Sequence, residues 1–77
     1  MNIQSLDLHG VRHGDVERIV ERLINKHWNT GCRFKIITGH SKPMQNLVTI
    51  VLNKYNVKSQ VGSPFGNNNT YIMTEEV

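Results

Sequence analysis

The sequence predicts a small α/β domain: a two-layer sandwich with its elements in the order βαβαββ. Three observations predict it. Short apolar, β-branched runs alternate with longer segments of helical periodicity. Glycines close the first two of those runs shortly before a helical segment begins. The last two runs are joined by a short turn-forming stretch, "PFGNNN", which makes them an antiparallel hairpin.

"IQSLDL", residues 3–8, reads as the first strand. Leu6 and Leu8 point to one face, and Ser5, Asp7 and then His9 to the other. Gly10 breaks it. "GDVERIVERLINKHWNTG", residues 14–31, reads as a helix, because Val16, Ile19, Val20, Leu23 and Ile24 recur at the spacing of one helical face. Asp15 and Glu17 lie in its first turn, where carboxylates favour the helix dipole, and Gly31 supplies a stop. "CRFKIITG", residues 32–39, is the second strand, with Phe34 and Ile36 opposite Arg33 and Lys35. The second helix opens at "SKP": Ser41 is its expected N-cap, and Pro43 is tolerated in a first turn. Met44, Leu47, Val48, Val51, Leu52 and Tyr55 form its apolar stripe. "VKSQVGS" and "TYIMT" are the third and fourth strands. Each strand–helix–strand unit is a parallel, right-handed crossover. If both step the same way, both helices cover one sheet face and the other stays open.

The totals bound the rest. A chain of 77 residues is one domain, spanning 1–77, with a small core. Its 38% hydrophobic content excludes a disordered chain. The single cysteine, Cys32, excludes an internal disulfide and a multi-cysteine zinc site, and fits a reducing compartment. No apolar stretch approaches the length of a membrane span, and no signal peptide is evident, so a soluble, cytoplasmic protein without a membrane partner is expected. The net charge is +3, but Glu75 and Glu76 sit at the extreme C-terminus. Residues 1–74 carry nine Lys/Arg against four Asp/Glu, a balance of +5. Such a balance favours an anionic partner, nucleic acid or another polyphosphate.

In parallel sheets, ligands gather beyond the carboxyl ends of the strands. The first strand ends in Asp7-Leu8-His9-Gly10 and the second in Thr38-Gly39-His40-Ser41. Each runs into a helix N-terminus, which suits phosphate. Asp7 and His9 stand two residues apart, about 6.5–7 Å at the backbone, so both can reach one phosphodiester. His9 can accept or donate a proton near neutrality. Asp7 can orient it, hold a metal or act as base, or it can simply cap the turn that follows. Gly10 and Gly39 allow close backbone approach. Arg12, His13, His40 and Lys42 flank the two helix starts. Arg33 and Lys35 form a basic stripe that suits a nucleic-acid backbone. Zinc is not expected: His9 and His13 are four apart, but Gly10 and Gly14 argue against one continuous helix presenting both. Trp28 and Tyr55 are expected at the core's edge. Cys32 has no partner that would make it a nucleophile.

These residues resemble the Smr (small MutS-related) domain family. Leu6-Asp7-Leu8-His9-Gly10 matches that family's first motif letter for letter, and Thr38-Gly39-His40-Ser41 is similar to its Thr-Gly-x-Gly second motif, with Ser41 in place of the final glycine. Element order and spacing are similar over about residues 5 to 74. The resemblance implies a fold like the C-terminal domain of translation initiation factor three, with sheet order 1-2-4-3 and the last strand antiparallel. It also implies nucleic-acid binding and, as in several members, endonuclease activity that nicks DNA or cuts RNA. Asp7 and His9 take the positions implicated in cleavage, and Thr38, Gly39, His40 and Ser41 those tied to nucleic-acid contact. The expectation is therefore an RNA- or DNA-binding domain that hydrolyses phosphodiester bonds, with a divalent cation such as magnesium as the cofactor if the substrate is DNA. The alternatives are a non-catalytic nucleic-acid-binding module and a protein-interaction adaptor.

Overall fold

Strand alternation decides which residues meet the helices. The computed structural model describes residues 2–62 and 70–77, so "PFGNNN" lies outside the described residues. The elements are β1 (Ile3–Asp7), α1 (His13–Lys26), β2 (Arg33–Ile37), α2 (Lys42–Lys54), β3 (Ser59–Val61) and β4 (Tyr71–Thr74). They form one four-stranded mixed sheet in the order β1-β2-β4-β3. β1 and β2 are parallel, with Ile3 opposite Arg33 and Asp7 opposite Ile37. β4 lies between β2 and β3 and is antiparallel to both, with Ile36 opposite Ile72 and Ile72 opposite Val61.

Phe34 and Ile36 on β2 and Ile72 on β4 are fully buried, while their neighbours Arg33, Lys35, Ile37, Tyr71 and Met73 are only partly covered. The buried set joins Leu8, the α1 stripe (Val16, Val20, Ile24) and the α2 stripe (Met44, Val48, Val51, Leu52) in one core cluster. The helices also pack directly on each other. Both therefore lie on the face that carries Phe34, Ile36 and Ile72, and the opposite face bears Ser5, Asp7, Lys35, Ile37, Tyr71 and Met73.

Several boundaries differ from the sequence reading. β1 ends at Asp7, which leaves His9 in the turn instead of on the strand. α1 begins at His13 and ends at Lys26, short of Gly31. The chain leaves the helix where the His27 amide is shared between the Leu23 and Ile24 carbonyls and Asn29 takes a positive φ of 61°. Of the two residues expected at the core's edge, Tyr55 packs against the core, while Trp28, in that turn, is 54% exposed and lies outside it. Its ring lies 6.4 Å from that of Tyr55. The β2–β4 pairing carries a bulge. Past Lys35 opposite Met73, the next backbone bond runs from the Val77 amide to the Cys32 carbonyl, 2.8 Å. Three residues, Thr74 to Glu76, thus face two. The fully buried Thr74 hydroxyl repairs the gap by accepting from the Phe34 amide at 2.9 Å, and Arg33 Nε donates to the Thr74 carbonyl at 3.1 Å.

Candidate nucleic-acid interface

Because β1 and β2 are parallel neighbours, their carboxyl ends lie side by side, and the Leu8 amide extends the ladder to the Ile37 carbonyl at 2.9 Å. Each end passes through a short turn into a helix. In the first turn the Val11 amide donates to the Leu8 carbonyl at 3.0 Å, and Gly10 at the third position has φ +77°. That sign at that position is the type II requirement for glycine. In the second turn Gly39 has φ +67°. One edge of the sheet thus gathers Asp7, His9, Gly10, Arg12 and His13 from the first connection, and Thr38, Gly39, His40, Ser41 and Lys42 from the second.

Side-chain roles within the edge are unequal. Asp7 is exposed, and its Oδ1 accepts from the His9 amide at 2.8 Å. The carboxylate therefore does cap the turn, as one reading of the sequence had it. It does so with one oxygen and stays open to solvent. Ser41 is the N-cap of α2: its Oγ accepts from the Met44 amide at 3.2 Å, with φ −72°. No positive φ is required at position 41, so a serine replaces the glycine of the resembling motif without backbone strain. Arg12 is the N-cap residue of α1 but makes no side-chain cap bond.

The second turn is held from within. The Thr70 carbonyl accepts from the amides of both Thr38 and Gly39, each at 2.9 Å. Thr38 is buried, with its hydroxyl 2.9 Å from the Gly39 carbonyl and 3.4 Å from that of Thr70. Buried Gln45 donates from Nε2 to the Gly39 carbonyl at 3.1 Å. The Gly39 and His9 amides and the Ser41 hydroxyl thus have partners inside the protein. Arg12, His13, His40 and Lys42 are the candidate side chains for anion contact at this edge.

Two of the sequence-predicted residues stand apart. Lys35 lies mid-strand on the open face, its Nζ 4.7 Å from the centre of the Tyr71 ring. Arg33 is at the opposite end of β2 from the turns, about 13 Å along a strand of this length. It is tied to Thr74 and lines a shallow depression with Glu75 and Glu76. The basic stripe is accordingly one strand-centre lysine next to an aromatic, with an arginine bound to the Thr74 carbonyl at the far end of the strand.

Sequence reasoning missed Gln45, Thr70 and Tyr71. Gln45 and Thr70 act through contacts that join distant segments, and no local pattern marks them. Tyr71 was open to discovery, since alternation along "TYIMT" places it with Met73 opposite Ile72. Among the described residues no cluster of three His, Cys, Asp or Glu side chains could hold a metal ion, so the edge offers no all-protein cage. A single exposed carboxylate such as Asp7 nonetheless fits magnesium, which keeps several waters and is held by one or two carboxylates plus substrate phosphate. No helix among the described residues is long and apolar enough to cross a membrane. Comparison of the chain with protein-family models, with curated proteins and with solved structures gives no match.

Proposed function

We propose that this domain binds nucleic acid along the edge where β1 and β2 end, and hydrolyses the phosphodiester held there. The observation that carries the reading is the parallel register of β1 and β2, which sets two glycine turns, two helix N-termini and four cationic or titratable side chains beside Asp7 and His9. The sheet order and element order are also those that the resemblance to the Smr family, and through it to the C-terminal domain of translation initiation factor three, implies. Arg12 and Lys42 hold the backbone without reading sequence. On RNA, His9 takes the proton of the 2′-hydroxyl, whose oxygen attacks phosphorus as the bond to the 5′-oxygen breaks; that oxygen takes a proton from water, leaving a 2′,3′-cyclic phosphate and a 5′-hydroxyl. Asp7 holds the His9 backbone in place and presents its carboxylate to the same site. On DNA, a divalent cation held by Asp7 and the phosphate would supply an activated water.

A second reading, binding without cleavage, is favoured by one observation: the Asp7 carboxylate already has a structural task, the bond to the His9 amide. Labelled single- and double-stranded RNA and DNA, incubated with the protein in the presence and absence of chelator, separate the two. Cleavage should fall about 100-fold or more in His9→Ala and in Asp7→Asn, with affinity retained. Full activity in both variants would overturn the mechanism. Salt-dependent binding with no turnover would establish the second reading. An adaptor for another protein would show no salt-sensitive binding to nucleic acid.

A further inference from the structure

The open face of the sheet is unusual at its centre. Ile37, Tyr71 and Met73 stand together there with Lys35, flanked by Ser5 on β1 and Gln60 on β3. All four central residues are partly covered but reachable. The one cation among them lies across the one aromatic ring, with Lys35 Nζ 4.7 Å from the Tyr71 centroid.

Register gives this pair a direction. Asp7 is opposite Ile37, and Ile37 is opposite Tyr71. The three form one row across the sheet, so Tyr71 stands two strand spacings, about 10 Å, from Asp7. An aromatic ring next to a cation, on a partly exposed sheet face, is the arrangement that takes an unstacked base and its phosphate. A duplex keeps its bases stacked and cannot use such a ring. We propose that this face receives single-stranded nucleic acid, with one base stacked on Tyr71, its phosphate on Lys35, and the strand continuing along the row toward Asp7 and His9. The proposal rests on the nucleic-acid reading above and narrows its substrate class.

The energetics permit the exchange. An exposed cation–π contact is weaker than a base–aromatic stack. An incoming base therefore displaces the Lys35 ammonium from the ring, and the ammonium moves to the phosphate that arrives with the base. Both DNA and RNA single strands carry this chemistry.

The test is fluorescence-anisotropy titration of the whole chain with labelled oligo(U), oligo(dT) and a mixed-sequence DNA duplex of equal length, at one salt concentration. Tyr71→Leu should weaken both single strands by about 5- to 100-fold and leave the duplex unchanged, while Tyr71→Phe retains wild-type affinity. The Phe variant and a thermal melt guard against lost folding, because Tyr71 is half-covered. Oligo(U) bound more tightly than oligo(dT), both responding to Tyr71→Leu, would assign RNA as the preferred source of the strand, and the reverse order DNA. Equal loss for single strand and duplex, unchanged single-strand affinity in Tyr71→Leu, or a wild-type preference for duplex would each overturn the proposal and leave the nucleic-acid reading standing. No binding of the wild-type chain to any of the three would overturn both.

Discussion

Gly39 and Gly14 show how one residue type serves opposite purposes. Gly39 has φ +67°, and a Cβ there would meet nothing within 4 Å. Its requirement is therefore backbone conformation alone, since there is no crowding. An L-residue in that conformation costs about 1–2 kcal/mol, so Gly39→Ala should lower the melting temperature by about 5–15 °C in a domain of this size. Gly14 lies in the first turn of α1, without a positive φ and with equally open surroundings. There the same substitution removes only unfolded-state freedom, and Gly14→Ala should stabilise by about 0.5–1 kcal/mol. Calorimetry of the two variants checks both signs. Gly14 also marks a limit of the sequence reading: the helical segment reads as opening at Gly14, but the helix begins one residue earlier, at His13. Ser41 shows the complement. Its cap was legible in the sequence, because serine before Lys-Pro at the start of an apolar stripe has few other uses.

At the scale of elements, the two helices are joined on their outer side by a polar clamp. Tyr55 donates to Glu21 Oε2 at 2.6 Å, and Lys54 Nζ lies 3.3 Å from the same oxygen and 3.7 Å from Glu17. The Tyr55 hydroxyl first, then Lys54, holds the Glu21 carboxyl below its ordinary range. Glu21 in turn raises both Tyr55 and Lys54. The signs give a window. The contribution of Glu21 is present above the carboxylate range and is lost as pH falls through it. Those of Tyr55 and Lys54 are complete below about pH 10 and are lost as pH rises beyond it. Melting temperature should therefore be flat through neutrality and decline on both sides. Glu21→Gln should blunt both declines, and so should Tyr55→Phe, because the Tyr55 hydroxyl is the first cause of the Glu21 shift and itself titrates on the alkaline side. Because these groups lie at the surface, the declines are shallow and shrink with added salt. The clamp was hidden from the sequence reading, since residues 21 and 55 meet only when α1 and α2 pack. The apolar stripes that make them pack were plain: Val16, Val20 and Ile24 on α1 and Val48, Val51 and Leu52 on α2 are all buried.

Over the whole molecule charge sorts only in part, since Arg22 and Lys26 also lie on the helical layer. Of the four acids in residues 1–74, Asp15 pairs with Arg18, and Glu17 and Glu21 pair with Lys54, on the helical layer, while Asp7 lies at the strand-end edge. Arg33 sits near Glu75 and Glu76. The strand-end edge and open face hold Arg12, Lys35 and Lys42, the candidate lysine and arginine contacts for phosphate. Three such contacts predict a shallow salt dependence, a slope of log affinity on log salt of about −2 for a single strand. Lys42→Ala should lessen that slope by about 0.7, whereas Lys54→Ala, on the far layer, should leave it unchanged. Titration at four or five salt concentrations reads both. A slope untouched by Lys42→Ala would move the interface away from this edge.

The sequence by itself determined the element order, the two apolar helix faces, the inward side of β2, the Ser41 cap and the two glycine-closed strand ends. Each of these follows from neighbours a few residues apart, where period, propensity and turn chemistry act. Tertiary structure decided the rest. The β1–β2–β4 register put Asp7, Ile37 and Tyr71 in one row and left Arg33 about a strand's length from the turns. Thr70 and Gln45 took up the Gly39 backbone, and the Thr74 hydroxyl closed the bulge opposite Phe34. These partners are 6 to 40 residues apart in sequence. Their pairing is fixed by which buried polar groups must find a partner once the layers close, and local pattern holds no record of that requirement.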